Sequence, residues 1–157
     1  SYGKSDGKVS SEKQLVKDAQ FAYDYLKEGY AENSIIVSGT SIGTGIAARI
    51  AAQNEPHKLL LNSPYFSLQS LIQEKVKIVP SFLIKYKLKT YQHLKQVKCP
   101  ITVFHGDKDE VIPHQHSLQL QEKYPQIDLY ILEGFGHNDL SNSRKYIFQM
   151  REILSED

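Results

Sequence analysis

The sequence has 157 residues with 19 basic and 18 acidic side chains, a formal net charge of +1. This length suffices for one domain with a buried core, and the balanced charge excludes a general nucleic-acid-binding protein, which needs a basic excess to contact phosphates. The single cysteine, Cys99, cannot form an internal disulfide, which favours a reducing compartment such as the cytoplasm, and no stretch approaches the roughly 20 apolar residues of a membrane span.

The first predicted element is a helix over residues 11–28. Ser11 and Gln14 resemble a capping box at its start. Four residues recur at helical spacing and predict its buried face: Leu15, Ala19, Ala22 and Leu26. A short apolar stretch at 34–38 predicts a buried strand, and the alanine-rich residues 42–53 predict a helix.

The rest of the chain continues the alternation of strands and helices. Strands are predicted at 57–62, 101–105 and 127–132, short helices within 67–98 on either side of Pro80, and helices at 114–123 and up to about 154. Continuous apolar strands separated by helices are typical of α/β proteins. We therefore expect a mainly parallel sheet with helices on both faces, in a single domain over 1–157.

The glycine-rich segment 37–53, VSGTSIGTGIAARIAAQ, has three interpretations. A phosphate loop needs a lysine, and none occurs between Asn33 and Pro56. A dinucleotide-binding fingerprint fits residues 43–48, but an acidic residue is expected about 20 positions later, where Asn62 and Ser63 stand instead. The third interpretation is G-x-S-x-G over 39–43, and Gly45 then serves helix packing.

The G-x-S-x-G pattern places a serine at a sharp turn between a strand and a helix. We expect Gly39 and Gly43 to be small because a side chain at either would collide with the adjoining strand or helix. The Ile42 N–H, at the helix N-terminus, is placed to bind an oxyanion. The alternative is a tight turn at Ser41 without chemistry.

An activated serine needs a base and a carboxylate that orients the base. In a parallel sheet such groups gather at the carboxyl ends of the strands. Asp107 and Asp109 follow the third predicted strand, and His137 follows the fourth. The order Ser, Asp, His is that of α/β-hydrolases. Position alone leaves Asp107 and Asp109 equally suitable.

Five stretches together resemble the serine-hydrolase branch of the α/β-hydrolase superfamily: YGKSDGKVS, GTSIG, LNSPYFSL, VKCPITVFHGDKDEVIP and GFGHND. They are most similar to the small-lid, Bem46-like group, which includes protein depalmitoylases and relatives of prolyl oligopeptidases. The resemblance implies a catalytic triad of Ser41, Asp109 and His137 without cofactor or metal. It implies cleavage of an ester or thioester in a small-molecule or acylated substrate. A peptidase of the prolyl-oligopeptidase type is the alternative.

The same resemblance implies that the chain is the C-terminal part of such an enzyme, starting after the fourth strand of the family's sheet. Strands and a second oxyanion donor would then lie outside it. We expect low activity of this segment alone and self-association through an exposed edge strand. An inactive fragment or pseudoenzyme that acts by binding or dimerising is a further alternative.

A basic segment, defined as residues 70–106, carries seven lysines and one acidic residue, Glu74. The resemblance implies that residues at about 67–98, which overlap this segment, form a small basic helical lid. One hypothesis is selection of substrates near negative charge, including contact with a membrane surface; a solvated helix face is the favoured interpretation. His114 and His116 are expected at the surface without a metal. Cys99 is expected to be a core thiol, and His57, His93 and His105 are assigned to packing or solvent.

Overall fold

The computed structural model describes residue 6, residues 10–75 and residues 86–155. Their elements are, in chain order, α1 (Glu12–Lys27), a 3₁₀ turn (Glu32–Ser34), β1 (Ile36–Thr40), α2 (Gly43–Gln53), β2 (Lys58–Asn62), α3 (Leu68–Lys75), α4 (Thr90–Leu94), β3 (Ile101–Gly106), α5 (Gln115–Lys123), β4 (Ile127–Leu132), a second 3₁₀ turn (Leu140–Asn142) and α6 (Arg144–Ser155). None of these helices combines the length and the apolar character that a membrane crossing requires.

The four described strands form one parallel sheet in the order β1-β2-β3-β4. The register places Gly39 opposite Leu61, and Leu61 opposite Val103. Because all strands run in the same direction, the loops that follow them emerge at one end of the sheet, the end formed by the carboxyl ends of the strands. The segments that contain Ser41, Asp109 and His137 are therefore brought to the same side of the molecule.

Helices cover both faces of this sheet. On one face, buried residues of α2, α4 and α5 pack with the strands in a cluster that includes Leu61, Val103 and Leu120. On the other face, α6 packs through Ile153 against Leu60 and Phe104. The strands β2 and β3 are thus buried on both sides, which explains their continuous apolar sequences. The predicted parallel sheet with helices on both faces is confirmed.

At the start of the chain one predicted detail is wrong, and another is confirmed only in part. The first strand lies at Ile36–Thr40 instead of 34–38, because Glu32–Ser34 forms a 3₁₀ turn, and only Gly39 within it is buried. Helix α1 buries Val16 and Tyr23, and Ala19 of the predicted face packs against the same cluster, whereas Leu26 is exposed. Ser11 does cap α1 by accepting from the Gln14 N–H at 3.1 Å.

The shifted face of α1 reflects the position of β1 at an edge. A groove of about 460 Å³ runs along β1 and is lined by Ala19, Ala22 and Leu26 of α1. Within the described ranges, no strand pairs with the outer edge of β1. Ala22 and Leu26 therefore border this groove, while Ala19 both lines the groove and packs against the core cluster of Val16 and Tyr23.

The direction of the β1 backbone groups follows from two hydrogen bonds. The Ile35 carbonyl accepts from His57 N–H at 2.8 Å, and the Ser41 N–H donates to the Asn62 carbonyl at 2.9 Å. In a parallel strand the backbone groups alternate in direction residue by residue. The N–H and C=O of Ser38 therefore point to the open edge.

The predicted lid at about 67–98 is only partly covered by the described residues. Its described parts are α3, α4 and the connection 86–89, while residues 76–85, which include Pro80, lie outside them. The same is true of most of the opening YGKSDGKVS stretch. The lid therefore stays a prediction.

Candidate active site

Ser41 occupies the turn between β1 and α2. Its backbone φ is 54°, in the left-handed region that a non-glycine residue enters only under local constraint. The Thr44 N–H and hydroxyl both donate to the Ser41 carbonyl, at 3.0 and 2.7 Å. Together with the bond from Ser41 N–H to Asn62, these contacts hold the serine in the strained turn that the G-x-S-x-G pattern predicts.

The glycines around Ser41 have different roles. A Cβ on Gly39 would lie 2.7 Å from the Gly43 carbonyl oxygen, so only glycine fits there. A Cβ on Gly43 would meet no described atom within 4 Å. The predicted collision at Gly43 is therefore wrong among the described residues, because Gly43 borders the open groove along β1. A Cβ on Gly45 would strike the Tyr65 hydroxyl, which agrees with its assignment to helix packing.

Two hydrogen bonds connect Ser41, His137 and Asp109. The Ser41 Oγ lies 2.9 Å from His137 Nε2, and His137 Nδ1 lies 2.7 Å from Asp109 Oδ2. The Asp109 side chain is fully buried, while 12% of the His137 side chain is exposed. A carboxylate at Nδ1 favours the tautomer whose Nε2 can accept the Ser41 proton. The structure thus brings all three predicted residues together in the order that nucleophilic catalysis requires.

The loop after β3 holds the Asp109 carboxylate in place. Oδ1 accepts from the N–H groups of Val111 and Ile112, at 2.9 and 2.8 Å. Burial raises the pKa of Asp109, but hydrogen bonds from Ile112 N–H and His137 outweigh burial and leave the pKa below its usual value. Asp109 is therefore held ionised, with Oδ2 directed at His137.

Asp107 takes a different place from its neighbour. Its Oδ1 accepts from the Gly134 N–H at 2.6 Å and joins the loops that follow β3 and β4. Asp109, not Asp107, contacts His137. The geometry agrees with the assignment implied by the resemblance.

Ile42 follows Ser41 and adopts helical backbone angles directly before α2. Its N–H lies at a helix N-terminus, where no preceding turn of helix can accept it. The Ile42 carbonyl accepts from the buried Tyr65 hydroxyl at 2.9 Å. Tyr65 therefore anchors the peptide that follows the serine, and the pattern around Ser41 carries no signal for this contact.

His105 is the residue of this site that sequence reasoning missed. It is fully buried at the end of β3, and its Nε2 lies 3.3 Å from Asp109 Oδ2. Of its two predicted assignments, solvent is therefore wrong, and packing leaves out its polar partners. The sequence feature that indicates a place in the site is the position of His105 immediately before the loop that carries Asp109.

His116 also differs from its predicted surface position. It is buried, its Nδ1 accepts from the Phe66 N–H at 3.3 Å, and its Nε2 lies 3.2 Å from Glu74 of α3. The cause is its position on the inner face of α5. Among the residues that the structure describes, no three His, Cys, Asp or Glu side chains are grouped to hold a metal ion.

Two lysines of the basic segment are engaged within the protein. Lys75 donates to the Glu110 carbonyl at 2.5 Å, which joins α3 to the loop of Asp109. Lys98 pairs with Glu55 at 2.5 Å. Lys77 and Lys85 lie outside the described residues. Both lysines therefore have partners within the chain, but the Lys98–Glu55 pair lies at the surface, with 75% and 69% of the two side chains exposed.

Cys99 is half-buried beside the core cluster of α2, α4 and α5. Burial raises the pKa of its thiol, which disfavours the reactive thiolate. Its position agrees with the predicted core thiol.

Comparison with known proteins supports the same fold. A family model, Hydrolase_4, described as "Serine aminopeptidase, S33", matches residues 2–91. The chain is 30% identical over 159 residues to the alpha/beta hydrolase domain-containing protein 17C of Mus musculus, across 99% of this chain and 48% of the relative. It is 31% identical to protein aho-3 of Caenorhabditis elegans, across 98% of this chain and 46% of the relative.

Solved structures agree at lower identity. An esterase from Pyrococcus furiosus superposes with a TM-score of 0.75 at 19% identity, over 97% of this chain and 65% of that one. A serine hydrolase homologue from Coxiella burnetii superposes with a TM-score of 0.68 at 20% identity, over 98% and 62%. The chain spans about half the length of the curated relatives it matches. On the family match, the sheet topology and the structural neighbours together, the chain belongs to the α/β-hydrolase superfamily.

Proposed function

We propose that this chain carries the catalytic centre of a serine hydrolase that cleaves an ester or thioester. The observation that carries the proposal is the continuous hydrogen-bonded series from Ser41 through His137 to Asp109. The nucleophile sits in a strained turn, the base faces it, and a buried carboxylate orients the base. The residues come from three separate loops, and the strained turn at Ser41 costs free energy. Strain of this kind is typical of functional sites.

The proposed reaction proceeds through an acyl-enzyme. The Ser41 Oγ attacks the carbonyl carbon while His137 Nε2 takes its proton, and Ile42 N–H donates to the oxyanion of the tetrahedral intermediate. His137 then returns the proton to the leaving alcohol or thiol as the bond to that group breaks. A water molecule, deprotonated by His137, attacks the acyl carbon, and the proton passes to Ser41 as the acid departs. Asp109 remains ionised and stabilises His137 when it is charged.

A fluorophosphonate probe tests the nucleophile directly. We expect the natural protein to be labelled, Ser41→Ala to be unlabelled, and Ser38→Ala to be labelled as wild type. Ser38 is a matched control because it is an exposed serine of the strand that leads to Ser41. Failure of the folded wild type to react would contradict the proposal and favour a pseudoenzyme that acts by binding.

The leaving group is tested with one acyl chain presented as a thioester, an oxygen ester and an amide. We expect kcat/KM to be highest for the thioester or ester. The family description "Serine aminopeptidase, S33" makes a peptidase the competing function, and an amide preference would support it.

The basic segment is tested by comparing the hydrolysis rates of anionic and neutral esters across a salt series. Equal rates would reject selection of anionic substrates.

A further inference from the structure

A second buried imidazole lies against the proposed catalytic acid. The His105 side chain is fully buried, and its Nε2 lies 2.8 Å from the Ile112 carbonyl oxygen and 3.3 Å from Asp109 Oδ2. Its Nδ1 lies 2.6 Å from the Ser117 Oγ, on α5. Asp109 Oδ2 is therefore placed between two imidazoles, that of His137 and that of His105.

Hydrogen-bond chemistry assigns the proton of this buried ring. A carbonyl oxygen only accepts, so His105 Nε2 must carry a proton in order to bond to Ile112. Burial lowers the pKa of His105, which favours the neutral ring. In the neutral ring Nδ1 is then an acceptor, and the Ser117 hydroxyl donates to it.

Ile112 links this ring to the catalytic acid through both of its backbone groups. Its carbonyl accepts from His105, while its N–H donates to Asp109 Oδ1 at 2.8 Å. These two groups belong to the adjacent peptides on either side of the Ile112 Cα, so a displacement of Ile112 would disturb both bonds. The Nε2–H of His105 also faces the negative charge on Oδ2, an arrangement that opposes movement of the carboxylate away from the ring.

We propose that His105 and Ser117 form a positioning pair that holds the carboxylate of Asp109 in the orientation that His137 requires. The pair makes no contact with the reacting atoms. The Ile112 carbonyl sets the tautomer of His105, Ser117 orients the ring by donating to Nδ1, and His105 holds the Ile112 carbonyl and Asp109 Oδ2 in place. This inference rests on the proposed function, because the orientation matters for catalysis only if Asp109 serves His137.

Three variants of the natural protein separate positioning from simple packing. His105→Leu removes both polar atoms, His105→Gln keeps an amide N–H near the place of Nε2, and Ser117→Ala removes the donor to Nδ1. We expect the rate of fluorophosphonate labelling to fall about 10- to 100-fold in His105→Leu, the range known for residues that orient metal ligands from the outer shell. His105→Gln should recover most of that loss, a rescue that a purely packing role would not produce.

A double-mutant cycle tests whether the two residues act as a unit. Ser117→Ala alone should slow labelling, and its effect should disappear in the His105→Leu background. Equal and additive losses in the two backgrounds would overturn the proposed dependence of Ser117 on His105. Labelling of His105→Leu at the wild-type rate would overturn the positioning role.

Nuclear magnetic resonance of the imidazole groups gives a readout that needs no turnover. We expect His105 to be neutral with its proton on Nε2 in the wild type and in Ser117→Ala, because the Ile112 carbonyl sets this tautomer in both. The proton that joins His137 Nδ1 to Asp109 should be observed in the wild type and in His105→Gln, and be lost in His105→Leu. A proton on His105 Nδ1 in the wild type would overturn the proposal even if His105→Leu fails to fold. If the wild type is not labelled but these signals behave as expected, the proposed hydrolase function fails while the positioning pair stands.

Discussion

Replacement of Asp109 by asparagine should disable the proposed base without emptying the site. The two N–H groups of Val111 and Ile112 at Oδ1 can bond only to an acceptor, so the amide oxygen of Asp109→Asn must take that position. Its NH₂ then replaces Oδ2, 2.7 Å from His137 Nδ1. His137 must accept this hydrogen bond, and its own proton moves to Nε2, facing Ser41.

The expected loss follows from this exchange of tautomers. With a proton on Nε2, His137 cannot take the proton of Ser41, which removes general-base catalysis. Substitution of the acid by asparagine in such triads lowers kcat by roughly 10⁴, or about 5.5 kcal/mol of transition-state stabilisation. The new NH₂ also faces the His105 Nε2–H at the position where Oδ2 was 3.3 Å away, so we expect a lower free energy of unfolding as well.

The measurement is the second-order rate of fluorophosphonate labelling, followed by kcat/KM on the best ester of the substrate panel. Asp107→Asn is the matched control, because the amide oxygen can still accept from the Gly134 N–H. We expect the control to stay within about threefold of wild type, a change below 1 kcal/mol. Equal losses in the two variants, or an Asp109→Asn rate above about one tenth of wild type, would refute this reasoning.

Three further outcomes test the surroundings of the site. Gly39→Ala should lower the free energy of unfolding by about 1–3 kcal/mol through overpacking, whereas Gly43→Ala, at the open start of α2, should leave it unchanged or raise it by up to about 1 kcal/mol; urea titration that ranks them the other way contradicts the packing. Burial lowers the pKa values of His105 and His116, so below about pH 6.5 the unfolded chain binds more protons than the folded chain. The free energy of unfolding should therefore fall from pH 7 to pH 5, and a flat profile would argue against two buried neutral rings. If residues 1–157 self-associate through the open edge of β1, Ser38→Pro, which removes an outward N–H, should reduce the apparent mass in small-angle scattering; an unchanged mass would exclude this edge as the contact.

Much of the site could be predicted because its parts depend on local patterns. Apolar strands that alternate with helices indicate a parallel sheet. In a parallel sheet the loops that follow the strands all lie at the carboxyl ends of the strands. Ser41 and His137 are 96 residues apart, yet these two rules suffice to expect them together. The turn at Ser41 was likewise predictable, since a small residue at Gly39 is a local steric requirement.

Other features depend on tertiary contacts that leave no pattern in the sequence. His105 ends a stretch, ITVFH, that is typical of a buried strand, and its partners come from a loop and from α5. The extent of burial along α1 could not be chosen by helical periodicity alone, because Tyr23 and Leu26 are neighbours on the helix surface and only the groove along β1 leaves Leu26 exposed. Asp107 and Asp109 differ by the direction of a loop, which residue types do not encode.

The proposed catalytic hydrogen bonds join the two opposite edges of the described sheet. Ser41 follows β1 and His137 follows β4, with β2 and β3 between them, a separation of three strand spacings or roughly 14 Å. Detachment of either outer strand therefore separates the nucleophile from its base while the central pair remains intact. Local opening costs less free energy than global unfolding, so reactivity of Ser41 should report the integrity of all four described strands. In a denaturant titration, labelling should decline before the loss of helical circular dichroism.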